Sequence, residues 1–100
     1  MHARKRIEIV VEEVRAEAVT ELLDRIGATG WTVLPVVAGR GRDGLRQGGD
    51  PSGVFDNVVV LCIASEAVAQ RLVAAREELL GAGPAIVTIS DCQVLRADHF

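Results

Sequence analysis

The segment of this sequence best suited to chemistry is Gly39-Arg40-Gly41-Arg42-Asp43-Gly44, a G-x-G-x-x-G pattern. Glycines let successive backbone N–H groups turn toward one point and bind an anion, and Arg40, Arg42 and Arg46 add positive charge around it. The segment therefore predicts a site for phosphate or another small oxyanion. The alternative is a surface loop with solvated arginines. A dinucleotide-binding turn does not fit, because its glycines open a helix after the first strand, whereas Leu45–Pro51 continues here as loop.

The elements that must position this segment follow from hydrophobic periodicity. Alternating residues predict strands, apolar residues at helical spacing predict helices, and Pro35 marks an edge or a bulge of the sheet. Residues 40–53 hold five glycines and almost no apolar side chain, so we expect one long loop there. The predicted elements, in order, are a strand over Arg6–Glu12, a helix over Val14–Ile26, strands over Thr29–Gly39 and Val54–Ala64, a helix over Ser65–Leu80 and a strand over Ala85–Leu95.

This order predicts an α+β fold, the ferredoxin-like βαββαβ arrangement, as a single domain over residues 1–100. Both helices pack on one face of an antiparallel sheet. The third strand is apolar on its two faces, with Val58, Val60 and Cys62 on one and Val59, Leu61 and Ile63 on the other. Because the helices cover one face, we expect a second copy of the chain to cover the other.

Composition excludes several classes of function. The net charge of −3 lacks the basic surplus of a nucleic-acid-binding protein. The N-terminal residues are too charged for a signal or membrane segment, so we expect a cytoplasmic protein. Cys62 and Cys92 lie far apart in the sequence and His2 and His99 sit near its ends, which predicts no metal site and two buried free thiols.

Catalysis is not predicted either. No Ser/His/Asp or Cys/His arrangement is visible. An acylphosphatase-like domain shares the βαββαβ order but needs a phosphate-binding loop after the first strand, where this chain has Glu12-Glu13-Val14-Arg15. We therefore expect no enzyme and no catalytic cofactor.

Two motifs resemble the PII signal-transduction family. Gly27-Ala28-Thr29-Gly30-Trp31-Thr32-Val33 is similar to the family's G-x-T-G-x-T-V turn, and Gly39-Arg40-Gly41-Arg42 to the G-x-G-R start of its long loop. The resemblance implies a homotrimer in which adenine nucleotides occupy clefts between neighbouring subunits.

The resemblance also implies roles for individual residues. Thr32 would offer its hydroxyl to adenine, Gly30 and Trp31 would line the ribose, and Arg96 would reach phosphate. The remaining contacts are the backbone of Ala38 and Gly39 over the base, Val10 and Ile63 as an apolar floor, and Gly39, Arg40 and Gly41 near the phosphates.

The sequence departs from the family in ways that bear on the ligand. Gly81–Ala85 replaces a longer glycine loop that ends in a phosphate-binding lysine, and Asp98 stands where a second arginine is common. Fewer cations predict a preference for ADP or AMP over ATP.

The compact chain resembles the PII-like subgroup associated with carboxysomes. That resemblance implies bicarbonate as a second ligand, held by Arg40, Arg42 or Arg46. It further implies an unidentified protein target, such as a transporter or a carbon-metabolism protein. The alternative to a nucleotide sensor is an ACT-type module that binds an amino acid between subunits.

Overall fold

The structure, a computed structural model, describes residues 1–41, 44–47 and 56–100. Within these ranges, a four-stranded antiparallel sheet has the order β2-β5-β1-β6 and a separate two-stranded ladder joins β3 to β4. The elements are β1 His2–Glu12, a 3₁₀ turn Glu13–Arg15, α1 Ala16–Arg25, β2 Thr32–Pro35, β3 Ala38–Gly41, β4 Gly44–Gln47, β5 Asn57–Ala64, α2 Glu66–Ala74, α3 Arg76–Gly81 and β6 Ile86–Val94. The predicted ferredoxin-like order is confirmed.

One face of the sheet carries the helices and the hydrophobic core. The core comprises alternate residues of β1 and β5 and the inner faces of the helices: Ile7, Ile9, Val11, Val19, Leu22, Leu23, Val58, Val60, Cys62, Ala64, Val68, Ala69, Leu72 and Leu79. The first helix differs from the prediction at its start, where Val14 is 65% exposed and belongs to the 3₁₀ turn. The second predicted helix divides at Ala75 into α2 and α3.

Two helix ends follow the prediction closely. The Ser65 hydroxyl accepts a hydrogen bond from the Val68 N–H at 3.2 Å, so it caps α2. At the end of α1, Gly27 has φ +99°. The Gly27 and Ala28 N–H groups donate to the carbonyls of Asp24 at 3.1 Å and Leu23 at 3.0 Å, which is a Schellman motif.

The strand boundaries correct the prediction in three places. β1 begins at His2 rather than Arg6, because β6 pairs with it from Val10↔Ile86 to His2↔Val94. The single strand predicted over Thr29–Gly39 is wrong: Pro35 ends β2 at the sheet edge, and Ala38–Gly41 leaves to form β3. β5 begins at Asn57 rather than Val54, and residues 54–55 lie outside the described ranges.

The prediction of one structureless loop over residues 40–53 is also wrong in part. β3 and β4 pair antiparallel from Ala38↔Gln47 to Gly41↔Gly44. Backbone hydrogen bonds between strands need no apolar side chain, so glycine content does not forbid this ladder. Residues 42–43 and 48–53 of the predicted loop lie outside the described ranges.

The face of the sheet opposite the helices is called the open face below. Register places Val10, Val59, Leu61 and Ile63 on it, all partly exposed. At its two edges Leu34 is 44% exposed and Ile86 is 64% exposed. This apolar surface is where the sequence predicts a second copy of the chain. Cys92 also lies on it, partly exposed, so the expectation of two buried thiols holds for Cys62 alone.

Candidate functional site

The turn between α1 and β2 is held in one conformation by contacts from α1 and α2. Gly27 closes the Schellman motif, and the Arg71 Nε–H donates to the Ile26 carbonyl at 2.8 Å. Gly30, three residues later, meets different surroundings, since a Cβ added there would have no heavy atom within 4 Å. Packing in the described chain therefore requires a glycine at position 27 but not at position 30.

Thr32 lies on the open face beside an apolar floor. It pairs with Leu61 of β5, and Leu61 is flanked along the same face by Val59 and Ile63. Val10 pairs with Val59 in the next strand. Val10 and Ile63 are four residues apart in register, about 14 Å along the strands. Leu61 and Val59 fill that interval, so the floor beside Thr32 is continuous.

Sequence reasoning missed Val59 and Leu61 as members of this floor. The available signal was the alternation of the third strand, in which both residues share the side of Ile63. A flat apolar surface next to one hydroxyl is suited to an uncharged aromatic ring that also accepts or donates a hydrogen bond.

The Trp31 side chain takes the opposite direction from Thr32. Its indole Nε1–H donates to the Asp24 carboxylate of α1 at 2.9 Å, and the residue is 42% exposed. The ring is therefore anchored on the helix side of the sheet. The resemblance implies that Trp31 shares a site with Thr32, Val10 and Ile63. Within one chain, the structure does not bring Trp31 together with these residues.

The glycine-and-arginine segment is extended where the structure describes it. Ala38, Gly39, Arg40 and Gly41 form β3, and successive N–H groups of a strand point in opposite directions. The expected nest of converging N–H groups is therefore absent from residues 38–41. Arg40 is exposed and pairs in register with Leu45.

The two other arginines of the predicted anion site are less defined. Arg46 is a β4 residue whose backbone pairs with Gly39. Arg42 lies outside the described ranges. The anion site of these three arginines stays a prediction.

Arg96 follows β6, beyond the end of the sheet at which His2 pairs with Val94. Its Nη2 lies 3.3 Å from the Asp98 carboxylate and 2.8 Å from the His99 Nε2. Its side chain is 70% exposed, so the guanidinium remains accessible to an anion. The implied site residues are therefore spread along the sheet. Thr32 is level with Glu8, two register positions from Val10, whereas Arg96 lies beyond the His2–Val94 pair. Ala38–Gly41 belongs to the separate two-stranded ladder.

The short turn before β6 is fixed by Arg15, a residue that sequence reasoning missed. Its guanidinium donates to the carbonyls of Pro84 at 2.6 Å and Leu79 at 2.5 Å. Gly83 in this turn has φ +144°, a region open to glycine. Arg15 is 64 positions from Leu79 and 69 positions from Pro84 in the sequence. No local sequence pattern therefore predicts these contacts.

The resolved pKa shifts belong to ion pairs and to one buried thiol. A hydrogen bond to Asp91 raises the pKa of Lys5. A hydrogen bond between Arg25 and Glu78 raises the pKa of the arginine and lowers that of the glutamate. Burial raises the pKa of the Cys62 thiol, which keeps it protonated and unreactive.

Neither a metal centre nor a membrane span is found in the parts of the chain that the structure describes. No group of three or more His, Cys, Asp or Glu side chains is arranged to hold a metal ion there. Among the helices of residues 1–41 and 56–100, none has the length and apolar character needed to cross a membrane. The described site offers a hydroxyl, an apolar floor and guanidinium groups.

Comparison with known proteins gives a consistent result. The model of the family described as nitrogen regulatory protein P-II matches residues 4–99. No protein among those with curated functions matches the chain significantly.

Several solved structures are similar to this chain over nearly its whole length. CPII, a nitrogen regulatory PII-like protein from Thiomonas intermedia K12, was solved with ADP, AMP and bicarbonate. It is 26% identical, with a TM-score of 0.84 over 95% of this chain and 91% of CPII. CPII bound to ADP and bicarbonate is 27% identical, with a TM-score of 0.81 and the same coverage. A Thermus thermophilus protein described as PII-like in signalling is 26% identical, with a TM-score of 0.83 over 97% of this chain and 94% of that one.

Proposed function

Because this chain belongs to the nitrogen regulatory protein P-II family, we propose that it is a regulatory protein that binds ADP or AMP between the subunits of a homotrimer. In this proposal the protein catalyses no reaction and needs no catalytic cofactor. The observation that carries the proposal is the open face, where Thr32 lies beside the apolar floor of Val59, Leu61 and Ile63.

The open face supports the trimer. Val59, Leu61 and Ile63 occupy a central strand yet remain partly exposed in a single chain. Removing apolar surface from water contributes about 25 cal/mol per Å², so packing the open faces of several copies together stabilises the assembly. A trimer also brings residues of one chain beside those of another. A neighbouring copy can then supply site residues that lie far from Thr32 within one chain, such as Arg96.

The side chains of the open face and of Arg96 support the nucleotide. The Thr32 hydroxyl and the floor of Val59 and Leu61 fit an adenine ring, and the Arg96 guanidinium fits phosphate oxygens. Gly30 leaves open space where a larger residue would project. Two similar CPII structures were solved with ADP bound, one of them with AMP as well.

The turn before β6 supports a preference for ADP or AMP over ATP. Gly81–Ala85 contains no lysine, and Arg15 is engaged with the carbonyls of Pro84 and Leu79. Each missing cation removes a charge-assisted contact to a terminal phosphate. Calorimetry with AMP, ADP and ATP tests the preference. We expect ATP to bind no tighter than ADP, and tenfold tighter binding of ATP overturns it.

The same titrations test the function itself. A trimer that binds neither AMP, ADP nor ATP contradicts the proposed function. A thermal-shift series with amino acids tests the alternative function. Stabilisation by an amino acid, with no response to nucleotides, points instead to the ACT-type module.

Bicarbonate is proposed as a second ligand, and inorganic-carbon metabolism as the setting. Similar CPII structures were solved with bicarbonate bound. In this chain the exposed Arg40 of β3 presents a planar guanidinium, which matches two oxygens of a planar anion. Arg42 and Arg46 are the other proposed ligands.

The bicarbonate proposal is tested by measuring ADP affinity with and without bicarbonate. Chloride at equal ionic strength is the control. We expect tighter ADP binding and slower amide exchange over residues 38–53. If bicarbonate changes neither quantity, the second ligand is ruled out.

Regulation would work by a population shift. A nucleotide and an anion that bind one arrangement of the β3–β4 ladder better than another favour that arrangement. A protein target, such as a transporter or a carbon-metabolism protein, would then recognise it. The ligands can shift the population only by their difference in affinity for the two arrangements.

A further inference from the structure

Arg4 is a half-buried cation that donates to three backbone oxygens among the described residues. It lies on the open face of β1, opposite Cys92 of β6. Its Nη1 donates to the Ala3 oxygen at 2.7 Å, its Nε to the Phe100 oxygen at 2.9 Å and its Nη2 to the Ala97 oxygen at 3.4 Å. Two of these bonds reach residues 97–100, called the tail below.

The tail is held from a second direction by the turn before β2. The Thr29 hydroxyl donates to the His99 oxygen at 2.5 Å. The tail is also folded on itself, because the Phe100 N–H donates to the Ala97 oxygen at 3.3 Å. Arg4 from the first strand and Thr29 from the turn therefore fix the tail across the end of the sheet.

Arg96 immediately precedes the tail and contacts it. Its Nη2 meets the Asp98 carboxylate and the His99 ring, both carried by the fixed segment. An arginine side chain that is ordered before its ligand arrives loses less conformational freedom on binding. We propose that Arg4 is a positioning residue: by holding the tail, it orders Arg96 toward the phosphates of the bound nucleotide.

This inference rests on the proposed function and makes Arg4 act only through Arg96. A double-mutant cycle on the trimer, with ADP affinity measured by calorimetry, tests that dependence. We expect Arg96→Ala to weaken ADP about tenfold and Arg4→Ala to weaken it about threefold. We expect the double variant to equal Arg96→Ala alone. Adenosine, which has no phosphate, should bind all four proteins equally.

Arg76→Ala is the matched control. Arg76 likewise donates to a backbone oxygen, that of Val73 at 2.9 Å, but lies on α3 at the helix side of the sheet. Its loss should leave ADP affinity unchanged. Thr29→Val removes the second hold on the tail and should weaken ADP in the same direction as Arg4→Ala. It serves as the test variant if Arg4→Ala fails to fold.

The outcomes separate cleanly. If the double variant loses as much relative to Arg96→Ala as Arg4→Ala loses relative to wild type, Arg4 acts independently of Arg96 and the inference is wrong. If Arg4→Ala or Arg96→Ala binds ADP as tightly as wild type, the inference is overturned while the proposed function stands. A wild-type protein that binds no ADP overturns both.

Discussion

An alanine substitution at Gly27 should lower stability, whereas one at Gly30 should leave stability nearly unchanged and weaken ligand binding. The two glycines belong to the same turn. Gly27 has φ +99°, and a Cβ there would lie 3.1 Å from the Arg71 Nη2. A Cβ at Gly30 would meet nothing within 4 Å, and its φ is not positive. The fold explains the first glycine, and the proposed nucleotide explains the second.

The expected loss of stability for Gly27→Ala can be worked from these contacts. A non-glycine residue in the left-handed region costs about 1–2 kcal/mol. Arg71 must also move, which weakens its hydrogen bond to the Ile26 carbonyl, a contribution of about 1 kcal/mol. A total of about 2–3 kcal/mol corresponds to a fall in Tm of roughly 10–20 °C for a domain of this size. Gly30→Ala should change stability by less than about 0.5 kcal/mol.

The two variants are compared by thermal unfolding without ligand, at one protein concentration, and by ADP calorimetry. Gly30→Ala should weaken ADP about tenfold, a loss of about 1.4 kcal/mol, because its methyl group occupies space that the ligand approaches. Gly81→Ala is the control, since Gly81 also has open surroundings but lies on α3. If Gly30→Ala binds ADP like wild type, the turn does not belong to the site. If Gly27→Ala matches wild type in Tm, the argument from backbone conformation is refuted.

Three further changes test other parts of the account. Leu61→Asp places a charge on the open face and should convert the trimer to monomer in light scattering. Val73→Asp, at an exposed position of α2, should not. A trimeric Leu61→Asp protein counts against the proposed interface. Glu78→Gln removes the ion pair with Arg25. Because the pKa of Glu78 is lowered in the folded protein, the pair stabilises above the unfolded carboxyl pKa, and its contribution is lost as the pH falls through the lowered value. The variant should therefore have a lower Tm than wild type at pH 7 and the same Tm in strong acid; a constant difference contradicts this. Arg15→Ala should speed amide exchange in the turn before β6 but not in α2. Unchanged exchange would show that the turn keeps its conformation without Arg15.

Local chemistry made several elements of the fold predictable from the sequence. The hydroxyl of Ser65 and the missing side chain of Gly27 each determine a helix end through contacts within a few residues. The alternation of β5 set its two faces, and Pro35 marked the edge strand.

Features that depend on distant partners could not be predicted in this way. The strands β3 and β4 are joined by backbone pairs, and a pattern of apolar side chains does not predict such pairs. The direction of Trp31 is set by Asp24, one element earlier, and the turn before β6 by Arg15, at the far end of the chain. The tail contacts of Arg4 span 93 and 96 positions. Such contacts appear once the strand order is known.

Native mass spectrometry with ADP counts subunits and bound nucleotides in the same ion. We expect a trimer that carries up to three ADP molecules. We also expect Arg96→Ala and Gly30→Ala to lower this occupancy while the trimer persists. A monomer in the presence of ADP, or a trimer that acquires no nucleotide, would contradict a nucleotide site built between copies of this chain.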